Sequence, residues 1–555
     1  MSDRMGWRRR GPRVVAMMAV LAMVLVACGG VDDDPELAGD GETVGDDPAD
    51  DGEGEPAADD ETDDAPSGEP VHGGELIQGE ISEVRGLDPL NIGTAVVGGV
   101  IAYAIYDPLM TWNEDGEIEP YLAESMESDD GLTWTMTLPT GVEFHDGTEF
   151  NADAVVYNLQ RQMDPEWGTR HQGGTIAAAQ EIESVEAIDD TTVEIVLNGP
   201  WSAFPTVLAS TGLALIGSPT ALEERGDAFD TDPVGTGPFE FVEWVRDTRF
   251  VAERNDNYWQ EDLPYLDRLE VRPVPDDDAK FLALRSGDID SAQTAEYSSI
   301  LEFAEEEGFT GYGEIAAGGQ ITIFNTDNAP FDDVRVRRAI AMATDNEALA
   351  QTAFDEAPPL SDPLPDFSPW YVETDYPEYD LDAAQELMQE YLDEIGEERL
   401  ELTYRCVGIP LMIRAGEMVQ IMWEQIGIDI EIDTMELQAW AQAVMEGDFD
   451  FACFSVTPFA DPDPRLYDQF MAGSRSNYSN YSPPEMQEAL QTGRESVDEQ
   501  ERFEAYAEVQ RLLGEDVPYL WWASPVYGNV ARSEIQGMWL NIDGVWRPGE
   551  VWIEE

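Results

Sequence analysis

Positive charge is what this chain most lacks. Its 555 residues hold 29 Lys and Arg against 117 Asp and Glu, a formal net charge of −88, and Lys280 is the one lysine. Such a balance repels nucleic acid and anionic lipid surfaces, so neither is expected as a partner. Histidine is almost missing as well: His72, His145 and His171 are the whole set, with no ligand spacing between any two. No metal site and no cofactor are expected. Cysteine is limited to Cys28, Cys406 and Cys453. The apolar run over residues 14–26 has 13 residues, short of the ~20 a spanning helix needs. Catalytic signatures are also absent. There is no Gly-x-Ser-x-Gly elbow, no His-Glu-x-x-His and no Gly-Lys-Ser/Thr phosphate loop. Acidic groups such as Asp461/Asp463 and Asp276-Asp277-Asp278 suggest glycosidase or calcium chemistry only weakly, because chance clusters are expected among 117 acids.

What is present begins with an address. Arg8, Arg9, Arg10 and Arg13 precede the apolar run, and small Ala27, Gly29 and Gly30 surround Cys28. Basic charge, apolar length and small residues in that order make a secretory signal. Leu25-Val26-Ala27-Cys28 resembles the bacterial lipobox, which implies cleavage before Cys28 and lipidation of that residue. The expected location is outside the cell membrane, tethered through the lipid alone. Residues 28–71 read as a disordered acidic tether. From 31 onward they lack aromatic residues, lysine and arginine, and cannot bury enough apolar surface to offset their ordering entropy. Such a coil spans roughly 35–40 Å. Lysine depletion with acid enrichment fits a salt-adapted proteome, and arginine bias from a GC-rich genome fits equally.

Folded structure is expected from Gly73 onward. Hydrophobic residues at 42% and aromatics at 10% suffice for a core. Residues 132–138 and 192–197 alternate with period 2 and predict strands. Residues 151–161 interrupt them as a polar-capped helix. Residues 233–238, Pro-Val-Gly-Thr-Gly-Pro, form a dense turn signal before a strand at 239–244. Further on, strands at 400–406, 428–432 and 449–456 alternate with helices at 415–425 and 437–445, predicting βαβ units and a parallel sheet. Helices dominate 484–513. Cys406 and Cys453 both fall in strand-like segments; one disulfide and two buried thiols are both open readings.

A series of segments, weak singly, gains force from its order. It runs through Leu87-Asp88-Pro89, Tyr106-Asp107-Pro108-Leu109, Phe144-His145-Asp146-Gly147, Pro233 to Pro238, and Asn255-Asp256-Asn257-Tyr258-Trp259. It continues through Phe324-Asn325-Thr326, Val336-Arg337-Arg338-Ala339, Gly447-Asp448-Phe449-Asp450, Asp461-Pro462-Asp463 and Asn477-Tyr478-Ser479. Together these resemble the family 5 solute-binding proteins of bacterial ABC importers for peptides and nickel. The resemblance implies a two-lobe α/β fold of the periplasmic-binding-protein type (type II, cluster C), with an extra β-rich subdomain at 110–215. Lobe 1 would comprise 72–312 plus 523–555, and lobe 2 residues 313–522. It implies a monomeric receptor, not an enzyme, that captures a ligand and delivers it to the importer's permease. Oligopeptide is the first substrate class. Another solute such as an opine, sugar or metal chelate is the alternative, and a secreted glycoside hydrolase a more distant one.

For the site, the resemblance places Asp461 in the cleft facing a ligand's amino terminus, with Asp463 as its fallback. A buried carboxylate needs a cationic partner, and the carboxyl end of a strand is where open α/β sheets bind ligands. Arg405 is the candidate for the ligand's carboxylate, although Cys406-Val407-Gly408 departs from the dipeptide-binding pattern. Phe459, Trp370, Trp440 and the pair Trp521-Trp522 are candidate apolar walls. His145, Gly235 and Gly237 are expected to serve turns, and Arg337 and Arg338 to brace the second lobe through surface salt bridges.

Overall fold

The computed structural model describes residues 69–164, 173–315 and 317–554. The expected signal peptide, Cys28, nearly all of the tether and His171 lie outside these residues. The described chain belongs to one compact unit.

Two large sheets organise it. The first has seven strands in the order Phe309–Ile315, Val526–Arg532, Ser291–Thr294, Glu75–Glu80, Arg268–Pro273, Arg249–Arg254 and Phe239–Val245. The second has five, in the order Ile428–Met435, Leu400–Val407, Phe451–Phe459, Ala317–Phe324 and Tyr519–Ala523. The strand Phe309–Ile315 belongs to the first sheet and Ala317–Phe324 to the second, and the chain returns to the first at 524–525. A four-stranded antiparallel sheet of Ser125–Glu127, Thr133–Thr137, Thr192–Leu197 and Ile182–Asp189 shares one hydrophobic core with the first large sheet. Separate apolar clusters cover the two faces of the second.

Local sequence explains most elements. In Thr192–Leu197 the alternation of Val193, Ile195 and Leu197 turns every second side chain inward, and all three are buried. The helix Ala152–Met163 opens at Asn151, whose side chain accepts the Ala154 N–H. Leu400–Val407, the helix Pro410–Glu424 and Ile428–Met435 form a βαβ unit with parallel strands, and Phe451–Phe459 joins Leu400–Val407 in parallel. The sheet is nevertheless mixed, because Ala317–Phe324 pairs antiparallel with both Phe451–Phe459 and Tyr519–Ala523. Ala317–Phe324 and Tyr519–Ala523 lie outside the βαβ stretch in sequence, where alternation of strand and helix carries no information about direction. Trp521 and Trp522 sit on opposite faces of a strand buried throughout, one in each apolar cluster, and form core rather than cleft wall. Cys406 and Cys453 occupy neighbouring parallel strands with Cα atoms 5.2 Å apart and are joined as a disulfide.

The motif segments largely hold each other. Asp107 accepts hydrogen bonds from the Tyr258 hydroxyl at 2.8 Å and Trp259 Nε1 at 2.9 Å. His145 Nδ1 accepts the Gly235 N–H, and Nε2 donates to the Gly237 carbonyl at 2.9 Å. Gly235 and Gly237 answer a need other than a positive φ: a Cβ on either would meet the Ile105 backbone at 2.1 and 2.5 Å. Among the described residues Arg337 and Arg338 have no carboxylate within ion-pair distance, so the expected salt-bridge brace is not what they form. Their guanidiniums donate to the carbonyls of Asp516 and Glu515, capping the helix Glu499–Asp516 where orphan carbonyls and the helix dipole favour a cation.

Candidate ligand-binding cleft

A cavity of about 640 Å³ opens where the two sheet systems meet, within the size range of small-ligand sites. One wall comes from the loop after Glu75–Glu80 (residues 82–97), Trp112, residues 206–212 near the end of the helix Phe204–Ser210, Tyr527, Ile542 and Asp543. The opposite wall is Thr457 to Arg465, which carries the chain from the carboxyl end of Phe451–Phe459 into the helix Arg465–Phe470.

Three of the residues singled out from sequence line this cavity: Phe459, Asp461 and Asp463. Phe459 is nearly buried. Asp461 is already engaged, since Arg502 Nη2 donates to both of its oxygens and the Asp463 N–H donates to Oδ1 at 3.0 Å. Burial raises its pKa and Arg502 opposes the rise. Arg502 thus stands where a ligand ammonium was expected. Asp463 is fully buried, accepts from the Tyr506 hydroxyl at 3.2 Å, and faces Arg494 at 3.9 Å. Burial pushes its carboxyl up to about 6 against the Arg494 charge.

Trp370, Arg405 and Trp440 stand outside the cavity lining, as do the core residues Trp521 and Trp522. Trp370 stacks beneath Arg502, 4.9 Å from guanidinium carbon to ring centroid, and faces the Phe503 ring. Arg405 pairs with Asp433 and Asp448, so its charge is answered on the surface. Trp440 packs on Phe454 with ring centroids 6.0 Å apart.

Sequence reasoning missed Asp543 and Arg465. Asp543 lies in the tight turn Asn541-Ile542-Asp543-Gly544, where the Asn541 side chain accepts the N–H groups of Asp543 and Val545. Gly544 has φ +71° and lies against the Tyr527 ring, so a side chain there would be strained and crowded. The turn sets Asp543 Oδ2 against Trp112 Nε1 at 3.2 Å, and the same indole donates to Ser210 Oγ at 2.9 Å. Burial pushes the Asp543 carboxyl up to about 7, opposed by the Ser210 and Trp112 hydrogen bonds and the Arg465 charge. Arg465 follows the Asp-Pro-Asp segment after Pro464, and its Nε is buried without a hydrogen-bond partner. The one available signal was an arginine among the Asp-Pro-Asp acids; Asp543 sits in a sequence that reads only as a turn.

The two parts of the fold also touch away from the cavity lining. Ser202 N and Oγ donate to the Arg494 carbonyl at 2.9 and 3.0 Å, and the Arg494 guanidinium stacks on Trp201 at 4.4 Å. Among the described residues no group of three or more His, Cys, Asp or Glu is arranged to hold a metal. None of their helices is long and apolar enough to cross a membrane.

The profile described as bacterial extracellular solute-binding proteins, family 5 Middle, matches residues 117–478, which include the Asp461 wall. The chain belongs to this family. Its members are extracytoplasmic transport receptors for ABC importers rather than enzymes. The glutathione-binding protein GsiB of Pectobacterium atrosepticum is 28% identical over 483 residues, covering 83% of this chain and 91% of that protein. Di/tripeptide-binding protein 2 of Pseudomonas aeruginosa is 28% identical over 481 residues, covering 82% and 90%. Among solved structures, the periplasmic binding protein DppA of Helicobacter pylori in complex with the peptide STSA superposes with a TM-score of 0.72 at 27% identity. That match covers 87% of this chain and 99% of that one. A solute receptor of this family needs a cleft with walls from two parts of the fold, and the cavity between 82–97 and 457–465 has that construction.

Proposed function

We propose that this family 5 receptor is a monomer, lipid-anchored through Cys28, that captures a short peptide in the 640 Å³ cavity. It hands that peptide to the membrane permease of its importer. The carrying observation is the cavity's two-sided lining. Residues of the first sheet system and the loop after Phe451–Phe459 both contribute, so a ligand held there joins the walls. The lobes are 72–312 plus 523–555 and 313–522, closing over the ligand by a hinge motion. Relatives named for di/tripeptides and glutathione support a peptide cargo, as does the retained Asp-Pro-Asp segment. The acidic tether would keep the receptor within reach of its permease.

Titration of ligand-stripped protein with short peptides, followed by small-angle scattering, tests this reading. One peptide per chain with a fall in radius of gyration is the expected result. Turnover of the peptide, or binding without compaction, contradicts it.

A further inference from the structure

The charged groups of the cleft divide by whether their charge is already answered. Asp461 gives both oxygens to Arg502. Glu83 accepts from Trp244 Nε1 at 2.6 Å and from the Asp247 N–H at 3.0 Å. Asp463 accepts from the Tyr506 hydroxyl and has the Arg494 guanidinium 3.9 Å away. Two groups remain. Among the described residues the Arg465 guanidinium has no hydrogen bond and no carboxylate within ion-pair distance; Asp468 and Asp543 act on it from farther away. Asp543 has only neutral donors, the Trp112 indole and the Ser210 hydroxyl.

An arginine and a carboxylate that lie on opposite walls and attract each other without touching leave both charges partly desolvated and unpaired. That is costly in a protein interior. A neutral ligand leaves both stranded, and a simple anion or cation answers one. We propose that Arg465 and Asp543 are the ligand's two charge partners, so that the cleft selects a zwitterion with its carboxylate at Arg465 and its ammonium at Asp543. The assignment rests on the receptor reading above. It moves the amine-binding role from Asp461 to Asp543 and the carboxylate-binding role from Arg405 to Arg465. It also explains how binding closes the molecule, since Arg465 and Asp543 belong to opposite walls and one ligand draws them together.

Calorimetric titration of stripped protein with three tripeptide libraries tests the assignment: free termini, C-terminal amides and N-acetylated. Wild type should prefer free termini by about 10- to 100-fold over either blocked library, the strength of a charge-assisted hydrogen bond. R465Q should bind the free-termini library that much more weakly and no longer distinguish it from the amides. D543N should no longer distinguish it from the acetylated library. R465K, which keeps the charge, should retain part of the preference and stands in if R465Q fails to fold. Variants that discriminate among the libraries as wild type does would overturn the assignment alone. Wild type that binds none of the libraries would remove the peptide reading, and this assignment with it.

Discussion

Arg502 Nη2 lies 2.8 and 3.0 Å from the two carboxylate oxygens of Asp461, and its guanidinium rests on the Trp370 ring. The pair ties the cavity-lining loop at 461–465 to the helix Glu499–Asp516. Asp461 thereby anchors the loop that leads into Arg465. Removing one partner leaves a buried charge uncompensated, at a cost of about 3–5 kcal/mol. R502M should lower the unfolding free energy by that amount in urea denaturation, and D461N/R502M should recover part of it. A loss below about 1 kcal/mol for R502M would mean that the pair does not hold the loop.

Burial pushes the Glu80 carboxyl up to about 8, opposed by the ammonium of Lys280, the chain's one lysine. Between the ordinary carboxylate range and pH 8, folded Glu80 keeps a proton that the unfolded chain has released. The native state then binds more protons, so this group's stabilisation is full below about pH 4.5 and is lost as pH rises through 8. The slope approaches about 1.4 kcal/mol per pH unit. E80Q should remove that slope. The test is the difference between wild-type and E80Q unfolding free energies from pH 5 to 8; parallel curves would refute it.

His145 works in the opposite direction. Burial pulls its pKa down to about 4, opposed by the hydrogen bond to Gly237. Folded His145 stays neutral where the unfolded residue gains a proton, so its stabilisation is present above about pH 6.5 and lost toward pH 4. Nitrogen NMR should show a neutral ring protonated at Nε2 at pH 5.5. A protonated imidazolium at that pH would contradict the geometry.

The Cys406–Cys453 bridge closes a separation of 47 residues between neighbouring strands. In the chain-entropy account such a loop contributes about 4 kcal/mol. Reduction under native conditions, or C406A/C453V, should lower the urea midpoint accordingly, and an unchanged midpoint would show that the strand pairing alone fixes this region.

Local pattern carried the fold a long way and the site part of the way. The alternation in Thr192–Leu197 and the Asn151 cap of Ala152–Met163 appear where periodicity and capping chemistry place them. The second sheet's mixed direction was hidden because Ala317–Phe324 and Tyr519–Ala523 pair across long sequence separations. The Asp-Pro-Asp loop does line the cavity. What sequence could not show is which charges are spent. Arg502 lies 41 residues from Asp461 yet satisfies it, and Asp433 and Asp448 satisfy Arg405. Arg465 and Asp543 stand out only when the other buried or half-buried charges in the cleft have been paired in three dimensions and Arg85 is seen to be exposed.

Capture of a cargo without chemical change is the central claim, and native mass spectrometry of the protein purified from its own host tests it most directly. The predicted result is a single noncovalent adduct of short-peptide mass on each chain, displaced intact by competing peptide. Adducts that are sugars, opines or metal chelates, or peptides released as cleavage products, would contradict it.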